Sequence, residues 1–307
     1  MTTAGREFDG AEAPRADDWT PLRHFVSDFC ESRLAVVSLF VFVGVVLAAL
    51  FAPFISIQNP YDLAQIDILD GTMPPGSRSA SGSTYLLGTD DQGRDMVSAI
   101  LYGLRISLGV GAISGLVAML LGVFAGIVAA QMGGRVDTLI MRIVDVQLGF
   151  PAILIALILL AVLGRGADKV IIALIASQWV YYARVARGAA LVELRKDYME
   201  SARCLSLSTT RIVLRHLLPN CLPPLIVIGT VEIAHAIALE ATLSFLGVGM
   251  PITEPSLGLL ISNGYGYLLS GRYWISFYPG IALLITIASI NFVGDQLRDV
   301  LNPRLQR

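Results

Sequence analysis

The sequence predicts an all-α polytopic membrane protein with about six transmembrane helices. Three observations carry that reading. Hydrophobic residues make up 55% of the 307 residues and charged residues only 15%, with a mean hydropathy of +0.68, whereas soluble domains carry about 25% charge. The charges cluster, leaving apolar runs close to the ~20 residues that a bilayer-crossing helix needs. Lysine and arginine are also divided unevenly between alternate loops.

Residues 1–33 are polar, mixed in charge, and run straight into the first full-length apolar run. That run is therefore expected to stay as a membrane helix rather than act as a short signal core. Apolar runs place six spans near 34–55, 105–130, 138–163, 169–190, 221–246 and 276–297, inside a membrane domain of 34–300 with a tail at 301–307. A loop of about 56–100 follows the first span and is rich in Pro, Gly and Ser from Pro60 to Ser83. At its end Thr89 and Gln92 fit a capping box, so a helix is expected to start there, and Arg105 can snorkel toward headgroups. The second span carries Gly103, Ser107, Gly111, Gly115, Gly122 and Gly126 on one face. Such a stripe lets helices approach closely in lipid, which marks this helix as central to the bundle. The stretch from Gly249 to Tyr273 reads as a mostly uncharged loop.

Orientation follows from the positive charges, which are kept on the cytoplasmic side. With the N-terminus inside, 16 of the 22 lysines and arginines face the cytoplasm and 6 face outward. The inner set includes Arg6, Arg15, Arg304 and Arg307. Both termini and the loop 191–219 are thus expected to be cytoplasmic, in a multi-pass plasma-membrane protein. Within that loop Leu191, Leu194, Tyr198, Ala202 and Leu205 recur at three- and four-residue steps, the spacing of an amphipathic helix. Ser208 or Thr209 can cap a second short helix, and Pro219 starts the next span. Inside the spans, Asp145 stands one turn from Arg142 and Asp295 one turn from Arg298, the spacing of local ion pairs.

Several classes are disfavoured. A net charge of −2 gives no field for nucleic acid. Neither lysine, Lys169 or Lys196, lies in a Gly-x-x-x-x-Gly-Lys-Ser/Thr loop, so the chain is not expected to bind ATP by that device. His24, His216 and His235 are too scattered for a metal site. Cys30, Cys204 and Cys221 lack metal-ligand spacing, and no nucleophile elbow or metalloprotease motif is present. The remaining alternatives are an ion-gradient-driven secondary transporter, which would favour internal repeats and buried ion ligands, and a membrane enzyme or scaffold.

The loop around Tyr198-Met199-Glu200-Ser201-Ala202, with Leu218-Pro219 downstream, resembles the EAA loop of ABC-importer permeases. The segment Leu87-Gly88-Thr89-Asp90-Asp91-Gln92-Gly93-Arg94-Asp95 resembles the N-terminal signature of the C-type permease of dipeptide, oligopeptide and nickel importers. Arg142 to Asp145 with Pro151, Glu240 to Gly249, and Asn291 to Asp299 extend the resemblance over roughly 25–307. Three positions depart from the family pattern: Ser206 for the usual turn Gly, Asn302 for Asp, and Leu257 for Trp. The resemblance implies an ATP-driven importer subunit that is not itself an enzyme. It would form half of a path for di- or oligopeptides, with nickel-chelate or glutathione import as the alternatives. It implies a short coupling helix seated on an ATPase, with Glu200, Ala202, Arg203, Leu205 and the turn at Ser206 passing on ATP-driven closure. The implied partners are a B-type permease, two ATPase subunits that bind the ATP and Mg, and a solute-binding protein; no cofactor is expected in this chain. Glu232, mid-span beside His235, is expected to face the path or the partner permease. Glu240 is expected at an interface or gate.

Overall fold

The computed structural model describes residues 21–79 and 82–301; Arg6, Arg15, Arg304, Arg307 and Asn302 lie outside the described residues. A short helix α1 (Pro21–Glu31) leads into α2 (Arg33–Leu50). Ser32 separates them and caps α2, its hydroxyl accepting from the Ala35 N–H at 3.3 Å. After the one-turn α3 (Ala52–Ile55) the chain builds a polar lobe, residues 56–95. Its hairpin pairs β1 (Ser77–Arg78) antiparallel with β2 (Thr84–Tyr85). Then come α4 (Met96–Met132), α5 (Gly134–Leu148), α6 (Ala152–Leu163) and α7 (Ala167–Glu193). The short α8 (Asp197–Cys204) and α9 (Thr209–Ile212) precede a π-helical turn, Val213–Leu217, that continues into α10 (Leu218–Phe245). The helices α11 (Leu257–Tyr265) and α12 (Trp274–Leu301) complete the described chain.

The expectation of about six spans holds approximately. Four helices are long and apolar enough to cross a membrane: α2, α4, the unit Thr209–Phe245 and α12. The expected span 138–163 is a single stretch only in hydropathy. It breaks at Gly149–Phe150–Pro151 into α5 and α6, which meet at 90°. Pro151 drives Phe150 out of the helical region and offers no N–H to continue the ladder. α5 carries Arg135, Asp137, Arg142 and Asp145, which suits a surface rather than hydrocarbon. α6 alone, at 12 residues, reaches only about 18 Å. α7 is 27 residues long and central, but Gln178, Arg184 and Arg187 make it less apolar than the other spans.

The small-residue stripe of α4 meets α11 at Gly103, beside Pro255 and Leu257, and serves two further neighbours beyond it. A Cβ on Gly111 would stand 2.5 Å from Ile237 of α10, and one on Gly122 would stand 2.3 Å from the Trp179 carbonyl of α7. Past Gly103 the first part of the stripe therefore seats α10 and the last part seats α7, with backbone contact in the latter case.

The polar lobe corrects the expected helix start. Thr89 is no cap: its hydroxyl donates to the Asp70 carbonyl at 2.5 Å and accepts from the Met73 N–H at 2.8 Å. α4 begins seven residues later, where the Asp95 carboxylate accepts from the N–H and hydroxyl of Ser98 at 2.8 and 2.7 Å. The lobe is sealed by a fully buried pair, Arg94 Nε to Asp90 Oδ2 at 2.6 Å. Burial, reinforced by the neighbouring Asp90 charge, raises the Asp91 carboxyl. Trp274 Nε1 donates to the Thr89 carbonyl at 3.1 Å and ties the lobe to α12. The stretch 249–273 is not simply a loop, since it contains α11, capped by Ser256 on the Leu259 N–H.

At the opposite end, α1 packs Phe25 and Phe29 against Val293, Leu297 and Val300 of α12, and Gln296 Nε2 donates to the Asp28 carbonyl at 3.1 Å. Glu193, Asn220 and Leu301 line one cavity, so the ends of α7, α10 and α12 meet there beside α8.

Candidate functional site

Two cavities lie along the seam between α7 and α10. The larger, about 940 Å³, sits at the α8 end, between Val185, Gly188 and Val192 of α7 and Pro223, Pro224 and Val227 of α10. The smaller, about 320 Å³, lies further along and is lined by Gln178, Tyr181, Glu232, His235 and Thr242, with Ala152 of α6 at its edge. The α7 lining includes 178, 181, 185, 188 and 192, and the α10 lining includes 224, 227, 231, 235, 238 and 242, with neighbours such as Ala189, Pro223 and Glu232 at the margins. Three- and four-residue steps put each set on one helix face. The two cavities thus follow the same two helices, one beyond the other, and together make up the α7–α10 groove.

Midway along the groove is a polar cluster. Glu232 is 3% exposed, and its Oε1 stands 3.6 Å from His235 Nδ1, whose side chain is 68% exposed. That separation is an ion-pair distance and too long for a hydrogen bond. Gln178, only 2% exposed, donates from Nε2 to the Glu232 main-chain carbonyl at 3.2 Å. Its Oε1 is buried and has no hydrogen-bond partner among the described residues.

Glu240, two turns along α10, lies in a different setting. It is 0% exposed and accepts from the hydroxyls of Ser107 at 2.7 Å and Ser244 at 2.8 Å, with Ser256 as a third hydroxyl partner. These serines come from α4, α10 and the cap of α11. The carboxylate therefore fastens three elements inside the chain and lines neither groove cavity.

Helix α8 lies at the foot of the groove. Its buried residues are Met199 and Ala202, which join Ile127 of α4, Ala186 and Ala190 of α7, and Leu217, Cys221 and Leu225 at the start of α10. The expected apolar face was in part misphased. Leu191, at the end of α7, and Leu194 pack on this core with Ala202 as expected, but Tyr198 is on the rim and Leu205 is 74% exposed, while Met199 takes the inward place. Glu193 holds the turn before α8, accepting from Lys196 Nζ at 2.7 Å and the Tyr198 hydroxyl at 2.6 Å. Partial burial and that bond push the Tyr198 hydroxyl up to about 12. Glu200, Arg203, Leu205 and Ser206 all face solvent. Ser206 has φ +53°. Its N–H donates to the Arg203 carbonyl at 2.9 Å, and the Leu207 N–H donates to Ala202 at 3.3 Å. This is a Schellman ending, in which the left-handed residue is usually Gly. Ser208 precedes α9 but makes no side-chain capping bond.

Cross-helix pairs replace the expected local ones. Asp145 bonds Arg184 of α7 rather than Arg142. Arg187 grips Asp137 through Nε and a second nitrogen, the latter at 2.6 Å. Both fix α5 against α7. Asp295 and Arg298 form no ion pair with each other among the described residues and instead line the larger cavity. Sequence reading passed over Gln178 and Tyr181, although an amide and a phenol in a predicted span were the available signal.

Comparison with known proteins agrees with this architecture. Residues 118–307 match the family described as binding-protein-dependent transport system inner membrane component, and residues 20–75 match the N-terminal TM domain of oligopeptide transport permease C. The chain is 37% identical over 288 residues to the dipeptide transport system permease protein DppC of Escherichia coli K12, covering 94% of this chain and 95% of that one. It is 33% identical over 306 residues to DppC of Bacillus subtilis, covering 98% and 91%. A chain of the inward-facing MetNI methionine ABC transporter superposes on 67% of this chain and 98% of its own length, with a TM-score of 0.56 at 19% identity. That likeness concerns the fold.

Proposed function

Since this chain belongs to the family of binding-protein-dependent transport system inner membrane components, we propose that it is the C-type permease of an ATP-driven peptide importer. The α7–α10 groove forms its half of the translocation path, completed by a B-type permease. The termini and α8 face the cytoplasm, where two ATPase subunits supply the ATP and Mg chemistry, and the polar lobe faces the solute-binding protein. Dipeptides and oligopeptides are the cargo, in keeping with the dipeptide permeases among the relatives and the match to the N-terminal domain of oligopeptide transport permease C.

The observation that carries this reading is how α8 is seated. Its outer face presents Glu200, Arg203 and Leu205 to a partner, while Met199 and Ala202 are keyed into α7 and α10, the helices that wall the groove. A force on α8 is thereby delivered to the groove walls through close-packed side chains. ATP binding would draw α8 inward and reshape the groove, and the groove would open alternately to either side. The test is purification of the tagged chain from its native membrane under mild conditions. Wild type is expected to bring a second permease and an ATPase, and Glu200→Lys is expected to lose the ATPase while keeping the permease. Recovery of the chain alone, in a preparation where another importer stays intact, would sink the proposal.

A further inference from the structure

We propose that the cluster of Glu232, Gln178 and His235 is a binding site for the primary ammonium of the passing peptide. The inference rests on the transport reading above and adds the recognition chemistry. A carboxylate in the middle of a membrane span is costly unless a cation answers it. Glu232 has only an incomplete answer: His235 at 3.6 Å, whose side chain is 68% exposed. Beside it, Gln178 Oε1 is an acceptor in a residue 98% buried, and nothing in the described chain donates to it. Its orientation is fixed, because Nε2 is spent on the Glu232 carbonyl, and a carbonyl only accepts.

Among the described residues the cluster thus holds one buried acceptor without a donor, Gln178 Oε1, and one carboxylate answered only by His235, with no lysine or arginine lining the pocket. An ammonium, with three donors and one positive charge, matches that set. The other titratable side chain lining the pocket is Tyr181; Tyr182, on the adjoining face of α7, is also buried near Glu232. Neither supplies positive charge. His235 can swing away when the peptide amine arrives, so the groove carries its negative charge without closing on it. Every peptide with a free amino terminus has this group whatever its side chains, which suits a path that must pass many sequences.

The test uses the assembled importer in lipid nanodiscs. The native cysteines are replaced, and Ala238→Cys or Thr242→Cys serves as reporter. Cationic and anionic methanethiosulfonates of equal size are the probes. With each rate divided by that probe's rate on a free small thiol, the cationic probe is expected to react about tenfold faster. That preference should vanish in Glu232→Gln and survive in Glu232→Asp. A lysine-free peptide should slow the reaction, and its N-acetylated twin should not. Equal rates for the two probes, or a preference untouched by Glu232→Gln, overturns the proposal. A reporter that neither probe reaches also overturns it and assigns the cluster to a contact with the second permease. If cysteine replacement prevents assembly, uptake is read in the otherwise native chain. There Glu232→Gln should lower uptake of the free-amine peptide about tenfold, and unchanged uptake rejects the site. Wild-type peptide uptake is measured alongside. Its absence defeats the transport reading itself, whereas normal uptake with charge-blind labelling defeats only this inference.

Discussion

The two faces of α7 are built on opposite principles. Toward α4 the helix is met by Gly122 and Gly126, whose missing side chains let the α4 backbone reach the Trp179 and Ala183 carbonyls. Toward α10 it presents small residues as well, Ala186 and Ala190 packing on Cys221 and Leu225, yet Gly188 has open space opposite it. Small residues therefore do not close an interface by themselves. The difference lies in the partner. α4 is a regular helix of 37 residues, whereas α10 starts from a π turn and holds Pro223 and Pro224 inside its first turns. Each proline removes a ladder bond and bends its helix, and both line the larger cavity. One face of α7 is a permanent seam, and the other is a space kept open.

The largest effect should come from breaking that seam. Gly122→Leu would drive a side chain into the Trp179 carbonyl, where even a Cβ would lie at 2.3 Å. Destabilisation above about 3 kcal/mol is expected, seen as loss of monodisperse protein after detergent extraction. Gly188→Ala, with open space around it, should leave yield unchanged and raise melting slightly, from the gain of about 0.4–1 kcal/mol that alanine has over glycine within a helix. Equal tolerance of the two substitutions would refute the contrast. A middle-sized effect is expected at Asp137→Asn, which strips Arg187 of its two-pronged partner. A cost of about 1–2 kcal/mol should appear in thermal unfolding of the purified chain. An unmoved Tm would show that Asp145–Arg184 and apolar packing hold α5 alone. The smallest is Ser206→Gly. Relief of the left-handed strain, partly offset by the extra freedom of unfolded glycine, should stabilise α8 by about 0.5–1 kcal/mol. Slower amide exchange in α8 is the measurement, and faster exchange would contradict it.

How much of this was legible beforehand depended on the range of the interaction. The α4 stripe could be read because Gly103 through Gly126 repeat on one helix face. The turn position of Ser206 could be read because the motif around it is local, and its φ of +53° follows. The break at Pro151 was blurred because hydropathy averaged over 138–163 let the apolar α6 mask the charged α5. Arg184 could not be matched to Asp145 since the pair spans 39 residues, while Arg142 offered a plausible neighbour one turn away. The serine cradle of Glu240 joins residues 133 apart in the case of Ser107. Such a cradle is visible only once α4, α10 and α11 have packed. Thr89 misled for the converse reason: a valid local capping pattern was overridden by its tertiary bonds to Asp70 and Met73.

The helical unit from Thr209 to Phe245 is 37 residues long, about 55 Å end to end. Near one end Glu240 is pinned by serines, and near the other lie the π turn and the prolines. A rod fixed at the top and jointed at the bottom swings like a pendulum. Displacement is least at the pin and grows toward the joint, so the same push at α8 moves the lower groove far more than the upper. On the topology proposed above, the α8 end of the groove is the wide-travel mouth, and the Glu240 end opens only when its pivot gives way.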